Sequence, residues 1–201
     1  MKIVCLDLEG VLVPEIWIDL AERTGIDALR ATTRDIPDYD ELMQQRLRIL
    51  DEHDLGMVAL EAVINDVRPF PGAVEFLDWI RERYQLVILS DTFYEFARPL
   101  MRQLGWPTLF CHQLETSPEG RIMSYRLRMR DHKRAAVAAF QGLNFRVVAS
   151  GDSYNDTGML GQADTGVLFA PPQNVVDDFP QFPVARDYSA LKNAIERAFQ
   201  D

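Results

Sequence analysis

Short continuous runs of apolar residues alternate with longer segments of helical periodicity along most of the chain. The runs that predict strands are residues 3–6, 86–90, 145–150 and 164–169, with a weaker fifth at 182–185. The segments that predict helices are residues 71–84, 93–104, 131–140 and 188–199. A continuous apolar run is typical of a strand buried on both faces, and such strands alternate with helices in parallel sheets. The pattern therefore predicts an α/β fold with a doubly wound parallel sheet.

Two segments interrupt this alternation. Residues 14–68 show only helical patterns and are too long for a simple crossover, so we expect a helical cap inserted after the first strand. Residues 111–129 contain a turn signal, Ser117-Pro-Glu-Gly120, between two extended stretches, which predicts a hairpin flap. The α/β core is then expected to comprise residues 1–13 and 69–201.

The composition argues against several classes of protein. Of the 201 residues, 47% are hydrophobic, which is enough to form a buried core. The net charge of −10 argues against binding to nucleic acid or to an anionic membrane surface. No run approaches the ~20 apolar residues of a membrane span. The two cysteines, Cys5 and Cys111, lack the spacing of a zinc or redox motif, so we expect buried, reduced thiols in a cytoplasmic protein.

Acidic and hydroxyl side chains follow three of the predicted strands. In chain order they are Asp7 and Glu9, Ser90 and Asp91, and Asp152, Asn155 and Asp156. One such strand end could be an ordinary polar loop, but in doubly wound sheets ligands bind where the carboxyl ends of the strands meet. A carboxylate cluster without a matching run of basic residues favours Mg²⁺, which prefers carboxylates, a carbonyl oxygen and water.

Four motifs, in order along the chain, carry a family resemblance. They are Asp7-Leu-Glu9-Gly-Val11, Ser90 at a strand end, Lys133 at a helix start, and Gly151-Asp152-Ser-Tyr-Asn155-Asp156. The set resembles the haloacid-dehalogenase-like phosphatases, and within them the phosphoserine phosphatase family. Glu9 replaces the usual second Asp of the first motif, which is most similar to the bacterial phosphoserine–homoserine phosphotransferase branch. The resemblance implies a Rossmann-like core with a small cap, and Mg²⁺-dependent transfer of the phosphoryl group of phosphoserine to water or homoserine.

The resemblance also implies a role for each catalytic residue. Asp7 would be the nucleophile that forms an aspartyl-phosphate, and Glu9 would be the general acid and base for the leaving and accepting oxygens. Ser90 and Lys133 would hold the phosphoryl oxygens. A phosphate dianion repels a free carboxylate, so a positive charge close to Asp7 is part of the expected chemistry.

The implied metal site consists of Asp7, the backbone carbonyl of Glu9, and Asp152. Asp156 would lie outside the metal's direct ligands and would orient its water shell or Lys133. The net charge of −10 therefore does not argue against an anionic substrate, because some of the acidic residues would bind a cation that reverses the local sign.

Recognition of the rest of the substrate must come from other residues. By resemblance, Glu15 would bind the amino group and Arg46 the carboxylate, for which a guanidinium is well shaped. Arg48 stays open as the alternative to Arg46. Asn155 could contact substrate or cap a helix, and Asp91 could contact substrate or only cap the helix that follows it.

Other functions also stay open. A phosphatase of the same family for another small phosphate ester is the nearest, and a receiver-type signalling domain phosphorylated on an Asp is a rival from another class. The receiver domain does not need the long insertion. The three histidines, His53, His112 and His132, lack the spacing of a catalytic triad, so structural or surface roles are expected. The sequence does not distinguish a monomer from a homodimer, or set the ratio of hydrolysis to transfer.

Overall fold

In the computed structural model, which describes residues 1–32, 35–36 and 38–200, seven strands form one sheet. The strands are β1 (Lys2–Leu6), β2 (Gln85–Phe93), β3 (Thr108–Thr116), β4 (Ile122–Arg126), β5 (Arg146–Gly151), β6 (Thr165–Phe169) and β7 (Val184–Ala185). Their order across the sheet is β4-β3-β2-β1-β5-β6-β7. Neighbouring strands run parallel except β3 and β4, which are antiparallel.

Nine α-helices are found within the described ranges. They are α1 (Ile16–Thr24), α2 (Tyr39–Glu52), α3 (Met57–Ile64), α4 (Ala73–Arg81), α5 (Tyr94–Gln103), α6 (His132–Gly142), α7 (Thr157–Gln162), α8 (Gln173–Asp178) and α9 (Tyr188–Gln200). Helices α1 to α3 lie between β1 and α4, in the segment whose pattern is helical. The two six-residue helices α7 and α8 are not predicted, because they are too short to display a helical period.

Side chains of β1 alternate between two hydrophobic clusters, one on each face of the sheet. Val4 and Leu6 pack in a cluster with residues of α1 to α5 and α9. Ile3 and Cys5 pack in the other cluster, with residues of α6, α7 and α8. Because both faces are covered by helices, the strand is apolar at every position rather than at alternate ones. The predicted doubly wound α/β fold is therefore confirmed.

The strand β1 occupies the position in the sheet where the strand order reverses. Leu6, its last residue, pairs with Ile88 of β2 on one side and with Ser150 of β5 on the other. The backbone N–H of Asp7 then donates to the carbonyl of Ser150 at 2.9 Å. The chain segments that leave these three strands therefore emerge at one edge, where doubly wound sheets bind ligands.

The structure corrects the expected end of β2. The strand continues past Ser90 to Phe93, which pairs with His112 of β3 after a shift of register. The residue that precedes α5 is therefore Phe93, so the interpretation of Asp91 as a helix cap is wrong. Continued pairing with β3, which was not itself predicted as a strand of the sheet, is the physical reason.

The hairpin also begins earlier than residue 111. β3 starts at Thr108 and pairs in parallel with β2 before it pairs with β4. Leu109 and Phe110 are only half-buried, and the short apolar run that they form does not stand out in the sequence. The turn between β3 and β4 contains the predicted Ser117–Gly120 segment, closed by a hydrogen bond from the Gly120 N–H to the Ser117 carbonyl.

Both cysteines are buried free thiols, as expected. Burial raises the pKa of Cys5 to about 12 and also raises that of Cys111. Within the part of the chain that the structure describes, no helix combines the length and apolar character needed to cross a bilayer.

Candidate active site

A cavity of about 360 Å³ lies beyond the carboxyl ends of β1 and β2 and extends to α1 and α2. Eight of the predicted site residues line it: Asp7, Glu9, Glu15, Arg46, Ser90, Asp91, Lys133 and Asn155. Asp152 and Asp156 lie beside it, each with a carboxylate oxygen within 4.8 Å of one from Asp7. A larger cavity of about 750 Å³, between the α2–α3 connection and the hairpin turn, is lined by none of these residues.

Lys133 lies among three carboxylates. Its Nζ is 2.8 Å from Oδ1 of Asp156, 3.1 Å from Oδ1 of Asp7 and 3.2 Å from Oδ2 of Asp91. The side chain is buried, and burial alone would lower its pKa, but the three negative charges outweigh this and raise the pKa well above its usual value. Lys133 therefore keeps its positive charge inside the protein.

Both carboxylate oxygens of Asp156 are engaged. Oδ1 accepts from Lys133, and Oδ2 accepts from the backbone N–H groups of Asp152 at 3.0 Å and Ser153 at 3.2 Å. Gly151 allows this approach, since a Cβ there would lie 2.2 Å from Cγ of Asp156. Asp156 is thus placed to orient Lys133 and the loop that carries Asp152.

The carboxylates of Asp7, Asp152 and Asp156 crowd one another. Burial first, and the charge of Asp156 second, raise the pKa of Asp7 well above its usual value and that of Asp152 to about 7. Gly10, at φ +75°, leaves room for Asp152, whose Cγ would be 2.4 Å from a Cβ at that position. Carboxylate oxygens from these three side chains lie within 4.8 Å of one another, and such a donor set fits a divalent cation with oxygen ligands.

Glu9 lies between β1 and α1, and its Oε2 accepts the N–H of Ile16 at 2.9 Å. Burial, followed by the nearby charge of Glu15, raises the pKa of Glu9 to about 8, although the Ile16 N–H and Arg46 oppose the shift. A carboxyl group with this pKa holds a proton at neutral pH and can release it during a reaction.

Arg46 is buried at the cavity wall, whereas Arg48 is exposed and does not line it. Nη2 of Arg46 donates to the carbonyl of Ala31 at 2.9 Å, and the guanidinium lies over the ring of Trp17. Its Nε is buried and has no hydrogen-bond partner among the described residues. Burial lowers the pKa of Arg46 to about 10, so the side chain is still charged at neutral pH. The geometry therefore favours Arg46 over Arg48 as a ligand for an anion.

Ser90 is buried, and its hydroxyl oxygen accepts the N–H of Thr92 at 3.2 Å. Ser153, and not Asn155, caps the short 3₁₀ turn at Tyr154–Asp156. The exposed Asn155 instead donates through Nδ2 to Oδ2 of Asp91 at 2.7 Å.

Two histidines that the sequence did not associate with the site lie next to it. His112 and His132 are each 3% exposed and come from β3 and α6, so a surface position is excluded for both, whereas His53 is exposed. Nε2 of His132 is 3.0 Å from Oδ1 of Asp91, and Nε2 of His112 is 3.6 Å from the same oxygen. Their separation along the chain gives no motif, so only the fold brings them together. Tyr39, which donates to the backbone carbonyl of Asp91 at 3.3 Å, was missed for the same reason.

Comparison with known proteins finds a matching family model and two relatives at 62% identity. Residues 1–164 match the family model of haloacid dehalogenase-like hydrolases. The phosphoserine phosphatase of Pseudomonas syringae pv. tomato is 62% identical over 98% of this chain and 84% of its own length. The phosphoserine phosphatase ThrH of Pseudomonas aeruginosa is also 62% identical, over 98% of this chain and 97% of its own.

Solved structures with the same fold are more distant in sequence. A substrate-bound phosphoserine phosphatase complex has a TM-score of 0.80 at 18% identity, covering 96% of this chain and 97% of the other. A phospho-aspartyl intermediate analogue of phosphoserine phosphatase has a TM-score of 0.80 at 18% identity, covering 96% and 98%. At this identity the likeness extends to the fold alone.

Proposed function

We propose that this chain, which belongs to the haloacid dehalogenase-like hydrolase family, removes the phosphoryl group of phosphoserine through an aspartyl-phosphate on Asp7. The relatives at 62% identity are named phosphoserine phosphatases. The observation that carries the proposal is that one cavity is lined by Asp7 with its partner Lys133 and also by Glu15 and Arg46. In a phosphate ester of an amino acid, the phosphoryl group would face Lys133, the amino group Glu15 and the carboxylate Arg46.

Asp7 attacks phosphorus through Oδ2. Its other oxygen, Oδ1, accepts the N–H of Leu8 at 2.7 Å and lies 3.1 Å from Nζ of Lys133. A bond forms from Oδ2 to phosphorus as the bond from phosphorus to the serine oxygen breaks. Lys133 and the hydroxyl of Ser90 hold the phosphoryl oxygens, where positioning and charge stabilisation contribute most.

Glu9 supplies the proton for this step. The carboxyl group, with its pKa raised to about 8, gives the proton to the leaving serine oxygen and becomes a carboxylate. In the second step that carboxylate takes a proton from the incoming water or alcohol. The oxygen of the acceptor bonds to phosphorus, the bond to Asp7 breaks, and both Asp7 and Glu9 return to their starting states.

Asp7 and Asp152 fit a Mg²⁺ ion, together with the backbone carbonyl of Glu9, because their crowded carboxylates have too little positive charge around them. When bound, the ion screens the repulsion between the phosphate and the attacking carboxylate. Chelation of divalent cations should abolish turnover, and added Mg²⁺ should restore it. Full activity in the presence of a chelator would contradict the metal requirement.

Arg46 and Glu15 recognise the amino-acid part of the substrate. Arg46 keeps Nε without a partner among the described residues and holds its guanidinium over the ring of Trp17, an arrangement that suits a carboxylate. The exposed Glu15 offers a carboxylate to an ammonium group. A sugar phosphate has neither group, so phosphoserine should be the better substrate, and equal kcat/KM values for the two would contradict this assignment.

Homoserine is the proposed alternative acceptor to water. Glu9 carries one methylene more than the usual Asp, so its carboxyl group reaches further from the backbone toward a bound alcohol. The relative named ThrH supports a link to the phosphotransferase branch. Incubation with phosphoserine and Mg²⁺, with and without homoserine, should yield homoserine phosphate only when homoserine is present. Inorganic phosphate as the only phosphorus-containing product in both cases would contradict transfer.

The test of the leading proposal is multiple turnover of phosphoserine that is lost in Asp7→Asn. The variant replaces a carboxylate with a neutral amide of the same size. A single labelling of Asp7 without turnover would favour the receiver-type signalling domain. Turnover of another small phosphate ester in preference to phosphoserine would favour the phosphatase with a different substrate.

A further inference from the structure

Both carboxylate oxygens of Asp91 have polar partners within the protein. Oδ2 accepts from Nδ2 of Asn155 at 2.7 Å and lies 3.2 Å from Nζ of Lys133. Oδ1 faces the imidazole nitrogens of His132 at 3.0 Å and His112 at 3.6 Å. The two oxygens therefore have separate tasks, one toward the phosphoryl-binding groups and one toward the histidines.

Asp91, His112 and His132 also have the spacing of a metal site, with ligand atoms within 4.8 Å of one another. The hydrogen bond on the far side of His112 argues against that use. Its Nδ1 accepts the backbone N–H of Arg128 at 3.2 Å, which puts the proton of the neutral ring on Nε2. A metal needs a lone pair on Nε2, and the ring would then present an N–H to the N–H of Arg128. The proton on Nε2 instead points to Asp91.

His132 also faces Asp91 with its Nε2. Its Nδ1 is buried without a hydrogen-bond partner in the described part of the chain, and its Nε2 is at hydrogen-bond distance from Oδ1 of Asp91. Asp91 is a carboxylate at neutral pH, because Lys133 and the donors around it outweigh burial and hold its pKa well below the usual range. A carboxylate accepts, so the nitrogen of His132 that faces it must donate.

We propose that His132, assisted by His112, is a positioning residue that donates to Oδ1 of Asp91 and thereby turns Oδ2 toward Lys133 and Asn155. This inference rests on the proposed function of the same site. Lys133 has three carboxylate neighbours from three separate segments of the chain, and Asp91 is the one that comes from β2. Without the imidazole donors, the Asp91 carboxylate is free to rotate and Lys133 loses one of the contacts that fix its Nζ.

The loss should affect kcat more than KM. Lys133 stabilises charge on the phosphoryl group, and such stabilisation is stronger in the transition state than in the bound substrate. We expect His132→Phe, which keeps a ring of similar size but donates nothing, to lower kcat by about tenfold with KM changed by less than about threefold. His132→Gln retains an N–H donor and should recover most of kcat.

The exposed His53 provides a matched control, since His53→Phe should leave both constants unchanged. A double variant that also carries Asp91→Asn tests whether His132 acts through Asp91. If His132 acts through Asp91, replacing His132 by Phe in the Asp91→Asn variant should lower kcat little further. Thermal unfolding of each variant verifies the fold, and His132→Leu, which also lacks a donor, replaces His132→Phe in both backgrounds if the Phe variant does not fold.

Three results would overturn the inference. They are an unchanged kcat in His132→Phe, an equal loss of kcat in His132→Phe and His132→Gln, and a full further loss from His132→Phe on top of Asp91→Asn. Calorimetric titration with Zn²⁺ alone should detect no site that His132→Phe removes, and such a site would overturn it as well. A wild-type protein that does not turn over phosphoserine would instead contradict the proposed function, which keeps the two failures distinct.

Discussion

The guanidinium group of Arg46 lies over the indole ring of Trp17, with Cζ 4.4 Å from the ring centroid. Trp17 belongs to α1 and Arg46 to α2, so the contact joins two helices across the wall of the cavity. The hydrogen bond to Ala31 further restricts the group. Arg46 is therefore held in one orientation before substrate arrives, which reduces the entropy lost when an anion binds.

Arg46→Lys should raise KM for phosphoserine by about 10- to 100-fold, because an ammonium neither stacks on Trp17 nor binds a carboxylate through two parallel hydrogen bonds. Steady-state kinetics with phosphoserine and with phosphoethanolamine, which has no carboxylate, provide the measurement. The variant should treat phosphoethanolamine as the wild type does. Arg48→Lys is the matched control and should change neither constant; an equal effect of the two variants would contradict the assignment of Arg46.

Gly10→Ala should disrupt the acidic cluster. At φ +75° an Ala costs about 1–2 kcal/mol. The added Cβ would lie 2.4 Å from Cγ of Asp152, so that side chain must move. We expect a lower free energy of unfolding in urea and a Mg²⁺ affinity reduced by about tenfold or more in calorimetric titration.

Gly142→Ala is the control for this change. Gly142 ends α6, and nothing lies within 4 Å of a Cβ built there. Alanine is the better helix former, so this variant should be as stable as the wild type or more stable by up to about 1 kcal/mol. If Gly10→Ala bound Mg²⁺ as tightly as the wild type, the assignment of Asp152 as a metal ligand would be wrong.

The position of the candidate active site could be predicted, because it depends only on where the strands of the sheet end. Asp7 and Asp152 follow parallel strands directly, and Ser90 lies two residues beyond Ile88, where the pairing of β2 with β1 ends. Parallel strands present these positions at one edge of the sheet. No information about side-chain contacts was needed to expect that they would lie close together.

The surroundings of Asp91 could not be predicted in the same way. They depend on β2 continuing to Phe93, and on β3, next to the edge strand of the sheet, which brings His112 to a histidine at the start of α6. The half-buried Leu109 and Phe110 form only a weak apolar pattern, so the sequence predicts β3 only as part of a hairpin. Two residues that are two positions apart lie on different faces of a helix, but the spacing does not say which face is buried. The choice between Arg46 and Arg48 therefore needed the packing of α2 against α1.

Protonation of His132 should make the free energy of unfolding decrease in acid. Burial lowers the pKa of His132, and the Asp91 carboxylate offsets this only in part, while His112 and Lys133 oppose protonation. A histidine whose pKa is lowered by folding contributes stability that is complete above its unfolded pKa of about 6.5 and is lost as the pH falls through the folded pKa. His132→Gln does not titrate at this position.

In a chelator, the free energy of unfolding of the wild type should therefore fall more between pH 7 and pH 5 than that of His132→Gln. Urea denaturation at each pH provides the measurement, and other titrating groups cancel because both proteins contain them. Equal slopes would mean that folding does not change the pKa of His132. A steeper slope in the variant would mean that the folded protein holds His132 protonated.

Glu9→Asp should shift the reaction from transfer toward hydrolysis. The shorter side chain withdraws the carboxyl group from the position of a bound alcohol, while a small water molecule can still approach it. It also moves the group away from the N–H of Ile16, which Glu9 now accepts at 2.9 Å. With phosphoserine, homoserine and Mg²⁺ present, the ratio of homoserine phosphate to inorganic phosphate should fall by about tenfold, a difference of about 1.4 kcal/mol between the two acceptors. Glu15→Asp is the comparison with the same loss of one methylene; it should raise KM for phosphoserine and leave that ratio unchanged. If the product ratio of Glu9→Asp equals that of the wild type, the length of Glu9 does not select the acceptor.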